Sequence, residues 1–349
     1  MHMSDALLSP AVGGALWVAS AAAIGLSVKK LTSANNGAAA MDEKKIPIMG
    51  VMGAFVFAGQ MVNFTIPGTG SSGHIGGGIL LAALLGPAPA LVTLASMLLI
   101  QCLFFADGGL LAYGCNVFNM GVIPCLGAYT LIYRPVVKRG LNKGNITLAA
   151  ILAVLVGLLA GAFAVVLETL ASGITELPFS TFAVLMLPIH AAIGLVEGIV
   201  TAAVLCFVHT ARPELLSGTV EGTKLGAGVP VRKILVVFGI LTLVVAGGLS
   251  LFASAYPDGL EWSMERTAGT AELEREGGVY ETAAGVVDKT AFMPDYGFRA
   301  AGEEAGGEAS EPNEAAGTAA AGITGSVITV LLAGALGLII NAATRKKTA

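Results

Sequence analysis

Charge is scarce in this sequence: Asp, Glu, Lys and Arg make up 12% of 349 residues, against 55% hydrophobic residues and a mean hydropathy of +0.81. That balance excludes a soluble globular domain and indicates an integral membrane protein. Cysteine is nearly absent. Cys102, Cys115, Cys125 and Cys206 lie in or beside apolar runs and form no CxxC pair, so they read as packing residues rather than disulfides or thiolate metal sites. No Walker A lysine, no HExxH and no nucleophile with a paired base stands out, so neither a nucleotide site nor an enzyme is expected. No nucleic acid is expected among the partners. A basic leader is also missing, because MHMSDALLSPAVGG runs straight into an apolar stretch and the first positive charges follow it. A cleavable signal peptide is therefore not expected, and the first residues are expected to be retained.

What is present is a series of apolar runs, each of about the 20 residues a spanning helix needs. They cover Ala11 to Val28, Ile46 to Phe64, Pro87 to Phe105, Tyr113 to Tyr133, Ile146 to Leu167, Leu187 to Val208, Ile234 to Ser254 and Ile323 to Ile340. The run Ile75 to Leu85 is too short to span alone. Most Lys and Arg fall in four groups: Lys29/Lys30/Lys44/Lys45, Arg134/Lys138/Arg139/Lys143, Arg212/Lys224/Arg232/Lys233 and Arg345/Lys346/Lys347. Placing all four in the cytoplasm requires an even number of crossings between them, which counts the short run as a pass. The expectation is a multi-pass protein of the cell (plasma or inner) membrane, N-terminus outside and C-terminus cytoplasmic.

Residues 255–322 break the pattern, being rich in Gly, Ala and Glu and carrying only Arg266, Arg275, Lys289 and Arg299 as cations. Such a segment has too little apolar surface for its own core and reads as an acidic external loop, at least partly disordered. The expected fold is an all-α integral membrane protein: a seven-helix substrate-binding bundle over 1–225, then a two-helix unit over 226–349 joined by that long external loop.

Histidine is rare as well, with four in the chain, and one is His2. A free terminal amine, the next peptide nitrogen and the imidazole of His2 close adjoining five- and six-membered rings on one ion. This planar nitrogen set suits Ni(II) or Cu(II) and needs one more nitrogen to complete a square. His74, in GTGSSGHIGGG, lies on the same side as Met1 by the charge argument and is the expected fourth ligand. Gly68, Gly70 and Gly73 also spell GxGxxG, but no βαβ unit surrounds them, so no dinucleotide site is expected.

In LPIHAAIGLVEGIV, His190 and Glu197 share one helix face. A carboxylate there should point into the bundle, either locking helices together or supporting the ligands from behind. Asp107, Asn116 and Asn119 carry the same two readings, helix packing or orientation of the N-terminus or His74. His209 reads as an interfacial histidine on the cytoplasmic side.

Together Met1-His2, SGHIGGG, QCLFFADGGLLAYGCNVFNMG and LPIHAAIGLVEG resemble the CbiM/NikM family, the nickel and cobalt substrate-capture components of energy-coupling factor (ECF) transporters. The later part, with YPDGLEWS and MPDYGF, resembles the CbiN/NikN partner fused in frame. The resemblance implies capture of Ni(II), or alternatively Co(II), from outside. Separate partners, a transmembrane coupling component and ATPase subunits, would drive release inward, with membrane lipid as the surroundings. The rival reading is an autonomous proton-coupled metal transporter using His190 and Glu197.

Overall fold

Helix α1 (Pro10–Thr32) begins where the Ser9 hydroxyl accepts from the Val12 N–H at 3.4 Å and Pro10 fills the first turn. The computed structural model describes residues 1–33, 42–226, 228–299 and 314–348. After α2 (Lys45–Gln60) comes an antiparallel hairpin, β1 (Phe64–Ile66) with β2 (Ser71–Gly73). Gly68 and Gly70, both at φ 77°, make its turn, so the GxGxxG glycines serve a hairpin. Helix α3 (Gly78–Leu85) is eight residues long with every residue buried, and Gly86 at φ 96° separates it from α4 (Pro87–Phe105). In α5 (Tyr113–Lys138) the stretch Phe118–Tyr133 is wound as a π-helix around Pro124. The long α6 (Lys143–Ser172) and α7 (Phe179–Ala211) pack along each other, and the short α8 (Pro213–Glu221) follows. The rest comprises α9 (Val231–Gly247), α10 (Gly259–Ala268), α11 (Gly278–Thr290) and α12 (Glu314–Thr348).

The protein is an all-α membrane protein. Among the described residues seven helices are long and apolar enough to cross a bilayer; α2 has 16 residues and α3 only eight. Exposed side chains such as Val18, Leu131, Val184, Leu243 and Leu331 give the bundle an apolar outer face, as lipid requires. At about 12 Å, α3 is too short to span. It nevertheless carries the chain from His74 to the far end of the bundle, where the Leu85 carbonyl accepts from Lys45 Nζ at 3.4 Å. At that end Lys44 Nζ donates to the Gly226 carbonyl (2.6 Å), Arg134 Nε to Val220 (3.1 Å) and the Thr344 hydroxyl to Leu31 (3.4 Å). These contacts gather residues of the first two basic groups, the backbone at Val220 and Gly226 within the span of the third, and the chain leading into the fourth, at one end.

Helices α9 and α12 pack on α2 rather than standing apart. The acidic segment differs from its composition. Residues 259–268 and 278–290 are helical, and α12 begins at Glu314, inside the stretch expected to be loop. The reason is that Leu260, Ser263 and Met264 bury one face of α10 against α7 and β2, so the segment borrows a core instead of building one. Residues 300–313 of the expected disordered loop lie outside the described residues.

Candidate metal centre

The chain start is pinned from several sides. Asn116 pairs with Met3 as a neighbouring strand would, accepting from its N–H at 2.7 Å and donating to its carbonyl at 3.1 Å. Asp5 Oδ1 accepts from the Ala112 N–H at 2.8 Å. Met1 and His2 are thereby driven inward, with side chains 6% exposed in both. The Met1 amine donates to Asp258 Oδ2, and His2 Nδ1 lies 3.3 Å from Asp107 Oδ1. Asp107 is held in turn by the Tyr296 hydroxyl at 2.5 Å. His2 Nε2 is buried without a hydrogen-bond partner among the described residues.

His74 follows β2 directly. Its ring stacks on His2 with centroids 5.6 Å apart and planes 17° from parallel. Its Nδ1 lies 3.1 Å from the Ile75 carbonyl, which can only accept, so Nδ1 carries the proton and Nε2 keeps its lone pair. Burial, then the nearby Met1 amine and His2, pulls the His74 pKa from 6.5 to about 4. Burial also lowers that of His2, against the opposing pull of Asp107. Burial would raise the Asp258 carboxyl, but the Met1 ammonium overrides it and holds the group far below its usual range.

The structure therefore brings Met1, His2 and His74 together at the end opposite the basic groups. In this state the amine and His2 Nδ1 face carboxylates, and the two rings are stacked rather than set around a common plane. Among the described residues no three His, Cys, Asp or Glu side chains converge as a metal centre.

The other sequence candidates stand behind this cluster. Glu197 accepts from the Gly77 N–H at 2.8 Å, at the start of α3, which ties α7 to the loop carrying His74. His190 Nδ1 donates to the Met186 carbonyl at 2.8 Å. The His190 ring abuts Gly259, where a Cβ would come within 2.9 Å of Cε1. Asn119 donates to Glu168 Oε2 at 2.8 Å and lies 3.8 Å from the Met3 sulfur. With Met1, His74 and Asp258, the residues His190, Glu197 and Asn119 line a small cavity of about 40 Å³. His209 sits near the end of α7, in its last turn, beside Arg212.

Sequence reasoning passed over Asp258, Glu168, Gln60 and Gln101. Gln101 Nε2 donates to Gln60 Oε1 (2.8 Å), and Gln60 Nε2 to the Gly76 carbonyl (3.1 Å), steadying the turn after His74. Glu168 could have been found as a carboxylate in an apolar helix. Asp258 had a local signal too: D-x-x-E spells a capping box. The structure contains that box, with Asp258 Oδ1 accepting from Leu260 and Glu261 N–H groups and Glu261 returning to Asp258 N–H. The same segment docks on the hairpin before His74: Ser72 N–H donates to the Pro257 carbonyl (2.8 Å) and Trp262 Nε1 to Thr69 (3.0 Å).

The family described as the cobalt uptake substrate-specific transmembrane region matches residues 2–215, and the PDGLE domain matches 232–342. A relative from Archaeoglobus fulgidus that carries the name NikMN is 31% identical over 340 residues, covering 96% of this chain and 98% of its own. The fused nickel transport protein NikMN of Rhodobacter capsulatus is 30% identical over 322 residues, covering 85% of this chain and 88% of its own. A crystal structure of a truncated transition metal transporter aligns with TM-score 0.52 and 30% identity, covering 60% of this chain and 99% of that one.

Proposed function

Since the chain belongs to the cobalt uptake substrate-specific transmembrane family, carrying a PDGLE domain behind it, we propose that it captures Ni(II), or alternatively Co(II), from the outer face for an ATP-driven ECF importer. It is a metal transport component of the membrane. In this reading the Met1 amine, the His2 peptide nitrogen, the His2 ring and the His74 ring hold the ion as substrate. Asn116, Asn119, His190 and Glu197 support them, and a separate coupling component and ATPase subunits supply the energy. The two units are 1–225, which captures, and 226–349, which positions the chain start. The termini lie outside (N) and in the cytoplasm (C).

One observation carries the reading: a chain terminus and two of the four histidines meet at one end of a membrane bundle, where Met1 and His2 are nearly buried. Four nitrogens around a plane favour Ni(II) among the two cargo ions. Binding requires the amine to leave Asp258, the His2 ring to turn from Asp107, and the amine and peptide nitrogens to shed protons, so capture releases protons. Asp258 and Asp107 remain beside the ion and offset its charge.

The test is calorimetry with Ni(II) on purified native, N-terminally extended and C-terminally tagged protein, together with His2→Ala, His74→Ala and His209→Ala. One residue added before Met1 should abolish high-affinity binding, as should loss of His2 or His74. His209→Ala should bind as the native protein does. Unchanged affinity in the extended form would overturn the chelate.

A further inference from the structure

At the basic end of the bundle, a cavity of about 240 Å³ lies between α1, the start of α2, α3, α4, α5 and α8, far from the metal site. Lys30, Lys45 and Arg134 line it, against one carboxylate, Asp42. Both Asp42 oxygens accept from backbone, from Lys44 N–H at 3.0 Å and Leu225 N–H at 2.7 Å. Arg134 uses Nε on the Val220 carbonyl, and its terminal nitrogens make no other hydrogen bond among the described residues. Among the described residues the Lys45 ammonium has only a long 3.4 Å contact to the Leu85 carbonyl. The 19-residue helix α4 starts at this cavity, with Gly86, Pro87 and Ala88 in its wall, and brings the positive end of its dipole.

A second, independent feature points to a ligand. Tyr129 lines the cavity at 1% exposure, and its hydroxyl is buried with no hydrogen-bond partner among the described residues. Such a group is costly unless something accepts its proton. A guanidinium, an ammonium, a helix N-terminus and a lone phenol all call for one kind of occupant, an anion rich in acceptor oxygens.

We propose that this cavity binds a phosphate group, contributed by an anionic phospholipid of the surrounding leaflet. The apolar surface around it favours lipid over free phosphate. Leu26, one turn before Lys30 on the same face of α1, is 67% exposed, and Leu131, next to the lining residue Thr130, is 77% exposed. Acyl chains would lie along these residues while the phosphate reaches inward. Basic pockets between membrane helices recognise anionic headgroups in this way. The bound lipid ties the α3–α4 junction to α1 and α5. The inference is independent of which metal is captured.

The test uses the full chain in nanodiscs and measures retention of phosphatidylglycerol against phosphatidylcholine by native mass spectrometry. Wild-type protein should retain phosphatidylglycerol preferentially. The double variant Lys45→Gln/Arg134→Gln should lose roughly thirtyfold of that preference, at about fivefold per cation. Tyr129→Phe should lose roughly tenfold, yet melt no lower than wild type without lipid, because it deletes only an unpartnered oxygen. Ni(II) binding at the other end reports that the variants are folded. Thermal stabilisation by millimolar inorganic phosphate, lost in both variants and without lipid preference, would keep the phosphate site and assign it to the free ion. No preference for phosphatidylglycerol and no effect of phosphate on wild type would overturn the proposal, as would wild-type retention in Tyr129→Phe and the double variant together.

Discussion

Asp258 accepts from the Met1 amine with one oxygen and caps α10 with the other. The two roles separate by substitution. Asn caps a helix nearly as well as Asp, so Asp258→Asn should keep α10 and lose only the charge facing the amine. Without that charge the terminus is no longer held beside His74. Because the carboxylate also offsets the charge of the bound ion, nickel affinity measured by calorimetry should fall on the order of tenfold, about the 1.5 kcal/mol of one charge-assisted contact. His74 makes a pH prediction. Its folded pKa is lowered to about 4, so between about pH 6.5 and 4 the unfolded chain takes up a proton that the folded chain refuses. Its contribution to stability is thus complete above about pH 6.5 and declines as pH falls toward 4. Melting temperatures in detergent should drop across that window, and His74→Gln should flatten the slope.

At the scale of the element, α3 is the unusual piece, because a buried helix of only eight residues joins the loop carrying His74 to the end of the bundle where Leu85 meets Lys45. Its entry depends on Gly77, whose φ is 78° and where a Cβ would lie 2.2 Å from Val56 Cγ1. Gly77→Ala should therefore destabilise the protein by at least about 2 kcal/mol. Nickel affinity should fall with it, since the Gly77 N–H binds Glu197 and His74 lies three residues before. Gly68→Ala, also at positive φ but in open space, should cost only about 1 kcal/mol. Thermal unfolding of the two variants side by side decides this. The apolar run is visible in the sequence. The hairpin before it and the break at Gly86 are not, because turn geometry rests on a few backbone angles that no hydropathy window records.

For the whole molecule, the contacts Lys45 to Leu85, Arg134 to Val220 and Thr344 to Leu31 bring Lys45, Arg134 and the chain leading into the last basic group to one end. The proposed orientation predicts that Thr270→Cys, in a Cys206→Ser background, reacts with a membrane-impermeant maleimide in intact cells. Lys224→Cys should react only after permeabilisation. Both positions are exposed. The opposite labelling pattern would reverse the proposed direction of transport.

The membrane class, the helical content and the family are legible in the sequence, because each rests on local quantities: hydropathy over about 20 residues, helical periodicity and short motifs. The sequence also singled out Met1, His2 and His74, since a rare residue beside a chain terminus can be read without coordinates. Tertiary structure alone decided that the acidic segment is partly helical and docked, that Glu197 holds the start of α3, and that Asp258 meets the Met1 amine. Those two partners lie 257 residues apart in the chain. Contact at that separation is set by how α7, α10 and the β1–β2 hairpin pack together, and no local pattern encodes it.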